Sequence, residues 1–366
     1  MRSIQVVNVR WFNATAWYGM YLSRLLLEGG HEVLVLGLPD TLSARKGEEW
    51  GLPMRLMDLN TATPWGIAAL YGKLKRLVGE FKPDVVNCHR GESYLLWGLL
   101  KKELGSFRLV RTRGDQRLPR ANLVNRWLHN DVSSAVITTN SPMTRHFRDV
   151  FKVPQGKLHQ ILGGVDTDTF HPDPAARARI RAELGYGDND FVVGLLGRFD
   201  RVKGQHELIR AVARLHGQGM ANIRLLLLGF DSATPESSVR GWISEHGIES
   251  ITAITGKRPD IAACLNAMDL GVVASLWSET IARAALEIMA TGVPLVSTDV
   301  GVMPDLLNSQ ALFGAGDVDA LASRIRLVMT NPELAEALRH EQQQRMHDLS
   351  GHDFLAKTLA VYEGIL

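Results

Sequence analysis

The chain has 366 residues, 45% hydrophobic and 22% charged, with a formal net charge of +2, an ordinary globular composition long enough for two cored domains. Two cysteines, Cys88 and Cys264, exclude a disulfide framework or a zinc site and suit a reducing compartment; no run of about 18 apolar residues is available to cross a bilayer. The small net charge conceals an asymmetry, with 23 Lys and Arg against 13 Asp and Glu in residues 1–163, and 18 against 26 in residues 164–366.

The opening residues, MRSIQVVNVRWF, read as a first strand over 4–9 and not as a signal peptide, since they lack a long apolar core and a small-residue cleavage site. Residues 17–29 follow with Tyr18, Tyr21, Leu22, Leu25 and Leu26 at helical spacing and end on Gly29-Gly30. A strand over 32–37 completes a strand, helix, strand unit, the seed of a parallel sheet. A helix is expected over 65–81, apolar at Leu70, Leu74, Leu77, Val78 and Phe81 and basic at Lys73, Lys75 and Arg76, with Lys82 beyond it. Further strands are expected over 84–88, 108–112 and 135–139, with a helix over 122–129. The run Gly163 to Pro174, GGVDTDTFHPDP, reads as a linker.

The alternation then restarts. Strands are expected over 191–196, 223–228, 251–255 and 270–274, and helices over 206–216, 239–246 and 261–268. The chain ends in helices over 318–330, 332–349 and 352–366. Two successive runs of about 160 residues imply two doubly wound α/β domains. The expected division is 1–163 with about 350–366, and 164–349. A basic first half calls for an anionic partner, a phosphorylated substrate, a membrane surface or nucleic acid, unless the two halves simply attract each other. It carries no nucleic-acid reader motif, so no nucleic-acid partner is expected.

Two stretches carry the candidate chemistry. In residues 275–305, SLWSETIARAALEIMATGVPLVSTDVGVMPD, Glu279 and Glu287 stand about two helical turns apart, near one face of a helix and its lead-in loop. Taken alone, the pair is explained by a helix cap and a solvated charge. Upstream, a buried strand ends in Leu195-Leu196-Gly197, and Arg198 and Lys203 project from the following loop. Ligands of open α/β sheets lie beyond the carboxyl ends of strands, and two cations near a helix N-terminus suit a diphosphate.

The loop from Gly197 and Arg198 to Lys203-Gly204 resembles that of the retaining glycosyltransferases of family 4, which have the GT-B fold. Gly256 at a strand end, Ala267-Met268-Asp269, and the series Ser275, Glu279, Glu287 and Gly292-Val293-Pro294 are similar too. Gly164 to Pro172 looks like that family's interdomain linker, and Gly29-Gly30-His31-Glu32-Val33 like its first turn. The ordered set spans nearly the whole chain. The resemblance implies two Rossmann-like domains facing across a cleft, with the C-terminal helix crossing back to the first. It implies a nucleotide-diphosphate sugar as co-substrate, UDP favoured, with no cofactor and no metal. Position by position, Arg198 and Lys203 would hold the diphosphate and offset charge on the leaving group, and Glu279 would contact the transferred sugar. Glu287 would bind ribose hydroxyls. Gly197, Thr280, Ile281, Ala282 and Arg283 would approach the donor, with the backbone N–H groups of Ala282 and Arg283 facing phosphate. Lys257 and Arg258 follow the strand that meets the base. Asp166-Thr167-Asp168 matches a metal motif of a different transferase fold, but sits in the linker.

The chain departs from the pattern in three places. Thr280-Ile281-Ala282 stands where members often have Gly-Phe-Gly, Asn13-Ala14-Thr15-Ala16 where many have a glycine pair, and Gly114 where many have a histidine. The donor contacts of that histidine must come from Asp115, His89 or Arg113, or be absent, and Asn13, Thr15, His89, Arg113 and Asp115 are the acceptor-side candidates. The Arg run 108, 111, 113, 117, 120 and 126, after Lys101-Lys102, suits phosphate or carboxylate. Trp11, Phe12, Trp17 and Tyr18 are candidates to stack on an acceptor sugar or to touch lipid. The expected function is a cytoplasmic retaining transferase, peripheral to the inner face of a membrane, that extends a lipopolysaccharide-type or lipid-linked glycan. The alternatives are a sugar-nucleotide epimerase of the same fold and a non-catalytic nucleotide-sugar or glycan-binding protein.

Overall fold

The computed structural model describes all 366 residues, Met1–Leu366. The chain forms two compact units, Met1–Gly163 with Gly351–Leu366, and Gly164–Ser350.

The first unit runs β1 (Arg2–Val7), α1 (Ala14–Glu28), β2 (Glu32–Gly37), α2 (Leu42–Glu49), β3 (Met54–Leu56), α3 (Pro64–Phe81), β4 (Val85–Cys88), α4 (Tyr94–Leu104), β5 (Arg108–Arg113), α5 (Leu123–Arg126), β6 (Ala135–Thr138), α6 (Ser141–His146) and β7 (Leu158–Gln160). Its seven strands lie in the order β3-β2-β1-β4-β5-β6-β7, all parallel. The second unit continues with α7 (Pro174–Glu183), β8 (Phe191–Leu196), α8 (Gln205–Gly217), β9 (Ile223–Leu228), α9 (Glu236–Glu245), β10 (Thr252–Ile254), α10 (Ile261–Asn266), β11 (Leu270–Val273), α11 (Arg283–Ala290), β12 (Leu295–Thr298), α12 (Met303–Leu306), β13 (Leu312–Phe313), α13 (Val318–Thr330) and α14 (Pro332–Met346). Its parallel sheet has the order β10-β9-β8-β11-β12-β13.

The strand sequences explain the layers. IRLLLL in β9 and VVNC in β4 are buried almost throughout, as strands covered on both faces by helices must be. Helices start where a polar side chain can take a first-turn N–H. Asn13, Thr41, Thr63, Asp173, Asp317 and Asn331 all do so, and each such cap stabilises its helix by about 1 kcal/mol. The last helix, α15 (Gly351–Glu363), belongs to the first unit. Its Tyr362 hydroxyl is buried against the Gln5 and Asn87 amides at 3.3 and 2.8 Å, and Phe354 packs edge-on to Tyr18 with centroids 4.6 Å apart.

Helix α1 begins three residues earlier than the apolar spacing predicts, because Asn13 caps it. Helix α5 covers only the first half of the helix expected over 122–129; residues Trp127–Val132 continue it as a π-helix. The sequence reading passed over α2, β3, α4, α6, β7, α7, α12 and β13, whose apolar residues are too few or too evenly spread to show one face.

Both sheets reverse strand order at their middle, between β1 and β4 and between β8 and β11. In an open α/β sheet the loops leaving the carboxyl ends of two such strands diverge and open a crevice for ligand. In the second unit, those loops are Gly197–Gly204 and Ala274–Ala282.

Candidate active site

The two loops are knitted together. Gly204 has φ +70°, and a Cβ there would overlap the Ala274 carbonyl oxygen. Only glycine fits, since it tolerates both the left-handed backbone and the approach. The Leu276 N–H donates to the Val202 carbonyl across the same seam at 2.8 Å. On the far side, Gly301 has φ +65° and its missing Cβ leaves room for the Glu279 carbonyl, which accepts from the Val302 N–H at 2.8 Å. Thr298 Oγ1 ties the Ser275 carbonyl at 2.7 Å.

This backbone clamp presents one polar cluster. Glu279 Oε1 accepts from the Ser275 hydroxyl at 2.6 Å and from the Lys203 ammonium. Glu279 is 9% and Lys203 24% exposed at the side chain, so the pair borders solvent without being immersed in it. An ammonium has three donors. Glu279 takes one of them. Arg198 is half-exposed and pairs with Asp200 at 2.8 Å, while its carbonyl is held by the buried Gln205 amide at 2.8 Å. Arg201, in the same loop, is bound by both carboxylate oxygens of Glu207.

Helix α11 opens beside Glu279. Its N-cap residue is Ala282, at φ 53° and ψ 44°, and no side chain caps it. Helix α8 starts after Gly204, equally without a side-chain cap. Helix N-termini left without such caps concentrate partial positive charge at the crevice. Glu279 therefore lies in the loop leading to α11, not in the helix itself. Ile281 and Ala282 are buried and have no polar side-chain atom. Thr280 is half-buried between them and Glu279. Glu287 lies in α11 and is buried, with Arg283 donating to it at 2.6 Å. Burial pushes its carboxyl pKa upward, and the Arg283 guanidinium opposes that shift.

Lys257 stands 4.5 Å over the Phe230 ring. Arg258 is held bidentately by Asp260 and by Glu183. Asp166, in the linker, accepts from the Asp168 and Thr169 N–H groups at 3.2 Å and from the Thr169 hydroxyl, so its carboxylate closes a turn.

The acceptor-side candidates of the first unit all have partners within the fold. Asn13 caps α1 by accepting from the Ala16 N–H at 3.1 Å, and buried Thr15 donates to the Gly114 carbonyl at 3.3 Å. His89 is buried with Nε2 2.9 Å from Gln5 Oε1; burial, aided by Arg111, lowers its pKa to about 3. It is neutral at working pH. Asp115 is a hub, paired with Arg90 and Arg113 at 3.1 and 3.0 Å and facing Arg111 at 3.8 Å. Within the arginine run, Arg111 serves the Cys88 and Thr112 carbonyls and Arg126 those of Ala121 and Phe151, while Arg108 reaches Leu366. Arg117 and Arg120 remain exposed.

The model for glycosyl transferases group 1 matches residues 176–345, and that for glycosyltransferase family 4 matches residues 16–169. A GDP-mannose-dependent alpha-(1-6)-phosphatidylinositol monomannoside mannosyltransferase of Mycolicibacterium smegmatis is 30% identical over 283 residues, 73% of this chain and 72% of that one. The chain belongs to glycosyltransferase family 4. Among solved structures, Anabaena HepE in complex with UDP superposes on this glycosyltransferase with a TM-score of 0.87 over the full length of both chains at 19% identity. The lipopolysaccharide outer core galactosyltransferase WaaB does so with 0.75 over the full length of both at 14%. At those identities the likeness is one of fold, and both units of this glycosyltransferase have the Rossmann-like architecture of GT-B enzymes. The sequence reading had Ser275 only as a member of the motif series, without its bond to Glu279, and did not single out Gln205, Asp200 and Gly301 as parts of the glycosyltransferase's candidate site; these needed the fold.

Proposed function

We propose that this glycosyltransferase moves a sugar, with retention of configuration, from a nucleoside-diphosphate donor to a cell-envelope glycan. The observation that carries this is the Lys203–Glu279–Ser275 cluster at the β8/β11 crevice, flanked by Arg198 and the α11 N-terminus. Charge develops on the departing phosphate oxygen as the glycosidic bond breaks. Arg198 and the remaining donors of Lys203 offset it, and the Ala282–Arg283 turn adds its partial positive charge. Glu279, fixed by Ser275, takes hydroxyls of the transferred sugar, and Glu287 takes those of the ribose. The leaving phosphate accepts the proton of the attacking acceptor hydroxyl on the same face, so no enzymic nucleophile is required, and the two cations supply the charge compensation without a metal. A UDP sugar is the first candidate donor. The mycobacterial relative's GDP-mannose makes a guanosine donor the competitor.

For the acceptor we propose a phosphorylated or lipid-linked glycan on the first unit, approached from an anionic membrane at the cytoplasmic face. In support, α3 carries Trp65 in its first turn, 87% exposed, with Lys73 and Arg76 exposed further along. No helix of the chain is long and apolar enough to cross a membrane. The test of the site is transfer by Arg198→Ala, Lys203→Ala, Glu279→Gln and Glu287→Gln. Each is expected to lose activity, and retention by all four would overturn the assignment.

A further inference from the structure

Four aromatic side chains follow β1, and the fold occupies three of them. Trp17 stacks on Tyr21 with centroids 4.9 Å apart, Tyr18 packs on Phe354, and Phe12 meets Trp50 edge-on at 5.8 Å. Trp11 alone stays mostly exposed, at 64%. It lines a concavity with Arg10, Leu38, Pro39, Asp40, Thr41 and Leu42.

This concavity lies beyond the carboxyl ends of β1 and β2, on the ligand-binding edge of the first unit's sheet. Its walls are fixed by backbone bonds. The Asn13 N–H donates to the Trp11 carbonyl at 2.8 Å. Thr41 donates to the Leu38 carbonyl at 2.8 Å while capping α2 through the Ala44 N–H at 3.2 Å. Between them Asp40 holds a left-handed backbone, φ 56°, a conformation that a non-glycine residue adopts at a cost of about 1 kcal/mol or more. Arg10 and Asp40 are exposed, and neither makes an ion pair or a side-chain hydrogen bond. A flat indole is thus set beside one uncommitted guanidinium and one uncommitted carboxylate.

We propose that this concavity is a sugar subsite of the acceptor. A pyranose lays its apolar C–H face on the Trp11 indole, its hydroxyls donate to Asp40, and Arg10 takes a phosphate or carboxylate borne by the same residue of the glycan. The π-face of an indole attracts weakly positive C–H edges, the carboxylate accepts only, and the guanidinium fork matches an oxyanion. A lipid surface would leave the Asp40 carboxylate against anionic headgroups, so charge favours the glycan. The assignment rests on the transferase reading, since only an enzyme that extends a glycan needs such a site opposite in role to the donor site.

The test uses the full chain and two probes, methyl α-mannopyranoside and mannose 6-phosphate, followed by saturation-transfer NMR of the sugar C–H protons. A saturable signal is expected from both, weakened about tenfold or more in Trp11→Ala and restored in Trp11→Tyr. Arg10→Ala is expected to weaken mannose 6-phosphate alone, about tenfold, and inorganic phosphate is expected not to displace the methyl mannoside. An unchanged signal in Trp11→Ala overturns the proposal. So does a Trp11→Ala chain that keeps the mannoside signal but no longer floats with anionic vesicles, which would make Trp11 a lipid contact. The same samples are titrated with UDP and GDP by thermal shift. Nucleotide binding with a sugar signal indifferent to Trp11 sinks the subsite alone, whereas a wild-type chain that binds no nucleotide sinks the transferase reading.

Discussion

Replacing Lys203 by Met separates what the Lys203–Glu279 pair does for folding from what it does for transfer. Removing one partner of a buried ion pair costs about 3–5 kcal/mol, because the other charge is left uncompensated. Here Lys203 is 24% exposed at the side chain, and Ser275 still donates to Glu279, so we expect about 2 kcal/mol after discounting for solvent. For a unit of this size that lowers Tm by roughly 4–8 °C. The double variant Lys203→Met/Glu279→Gln no longer strands a charge, and is expected to be less destabilised than the sum of the single changes by about 1 kcal/mol or more. Activity behaves differently. Lys203→Met is expected to lower kcat by about 10²–10³-fold, the effect of removing one preorganised charge-stabilising donor, and the double variant recovers none of it. Urea denaturation and initial-rate transfer assays read the two quantities. Additive stabilities within about 0.5 kcal/mol, or activity restored in the double variant, would refute the reasoning.

Four further outcomes are expected. Ala282→Gly relieves a left-handed alanine, so stability in urea should hold or rise by up to about 1 kcal/mol; a fall larger than that contradicts the strain. Gly301→Ala drives a Cβ into the Glu279 carbonyl, and should destabilise by about 2 kcal/mol or more and cut transfer; a neutral effect contradicts the clamp. Glu287 has a raised carboxyl pKa, so its ionised form is disfavoured by folding and the stability it withholds returns as pH falls through its folded pKa. Glu287→Gln should then match or exceed wild type in stability at pH 7, with the advantage fading toward pH 4, while nucleotide binding weakens. His89 and His129, the latter buried in the π-helical Trp127–Val132 turn with Nδ1 2.7 Å from the Asn125 carbonyl, are both held near pKa 3 by burial. The unfolded chain protonates them below about 6.5, so the first unit should lose up to about 1.4 kcal/mol per pH unit per histidine below that value; a flat stability profile between pH 7 and 5 would show that the rings are hydrated.

The fold was legible because its strands are nearly continuous apolar runs. VVGLL, RLLLL and LGVV admit few other fates, and the glycines and prolines between them mark turns. The helices that escaped notice, such as α2 with LSARKGEE, hide because short polar helices depend on a cap and on packing more than on their own periodicity. At the site, Arg198, Lys203, Glu279 and Glu287 were visible as charged residues next to strand ends. Their mutual arrangement was not. It depends on Gly204 and Gly301, two glycines about a hundred residues apart that let separate backbones touch. In the first unit the polar residues were as visible, but their partners were not. Arg111 and Arg126 donate to main-chain carbonyls and His89 meets the Gln5 amide, partners that no spacing in the sequence reveals.

The central claim is that Arg198 and Lys203 hold a nucleoside diphosphate at the β8/β11 crevice, and thermal denaturation with UDP and GDP tests it most directly. A ligand that binds only the native state stabilises it by about 2.7 kcal/mol at a hundred times its Kd. Saturable stabilisation of the wild type, larger with UDP than with GDP and abolished by Arg198→Ala and by Lys203→Ala, is the predicted result. Stabilisation of both variants equal to that of the wild type would contradict it.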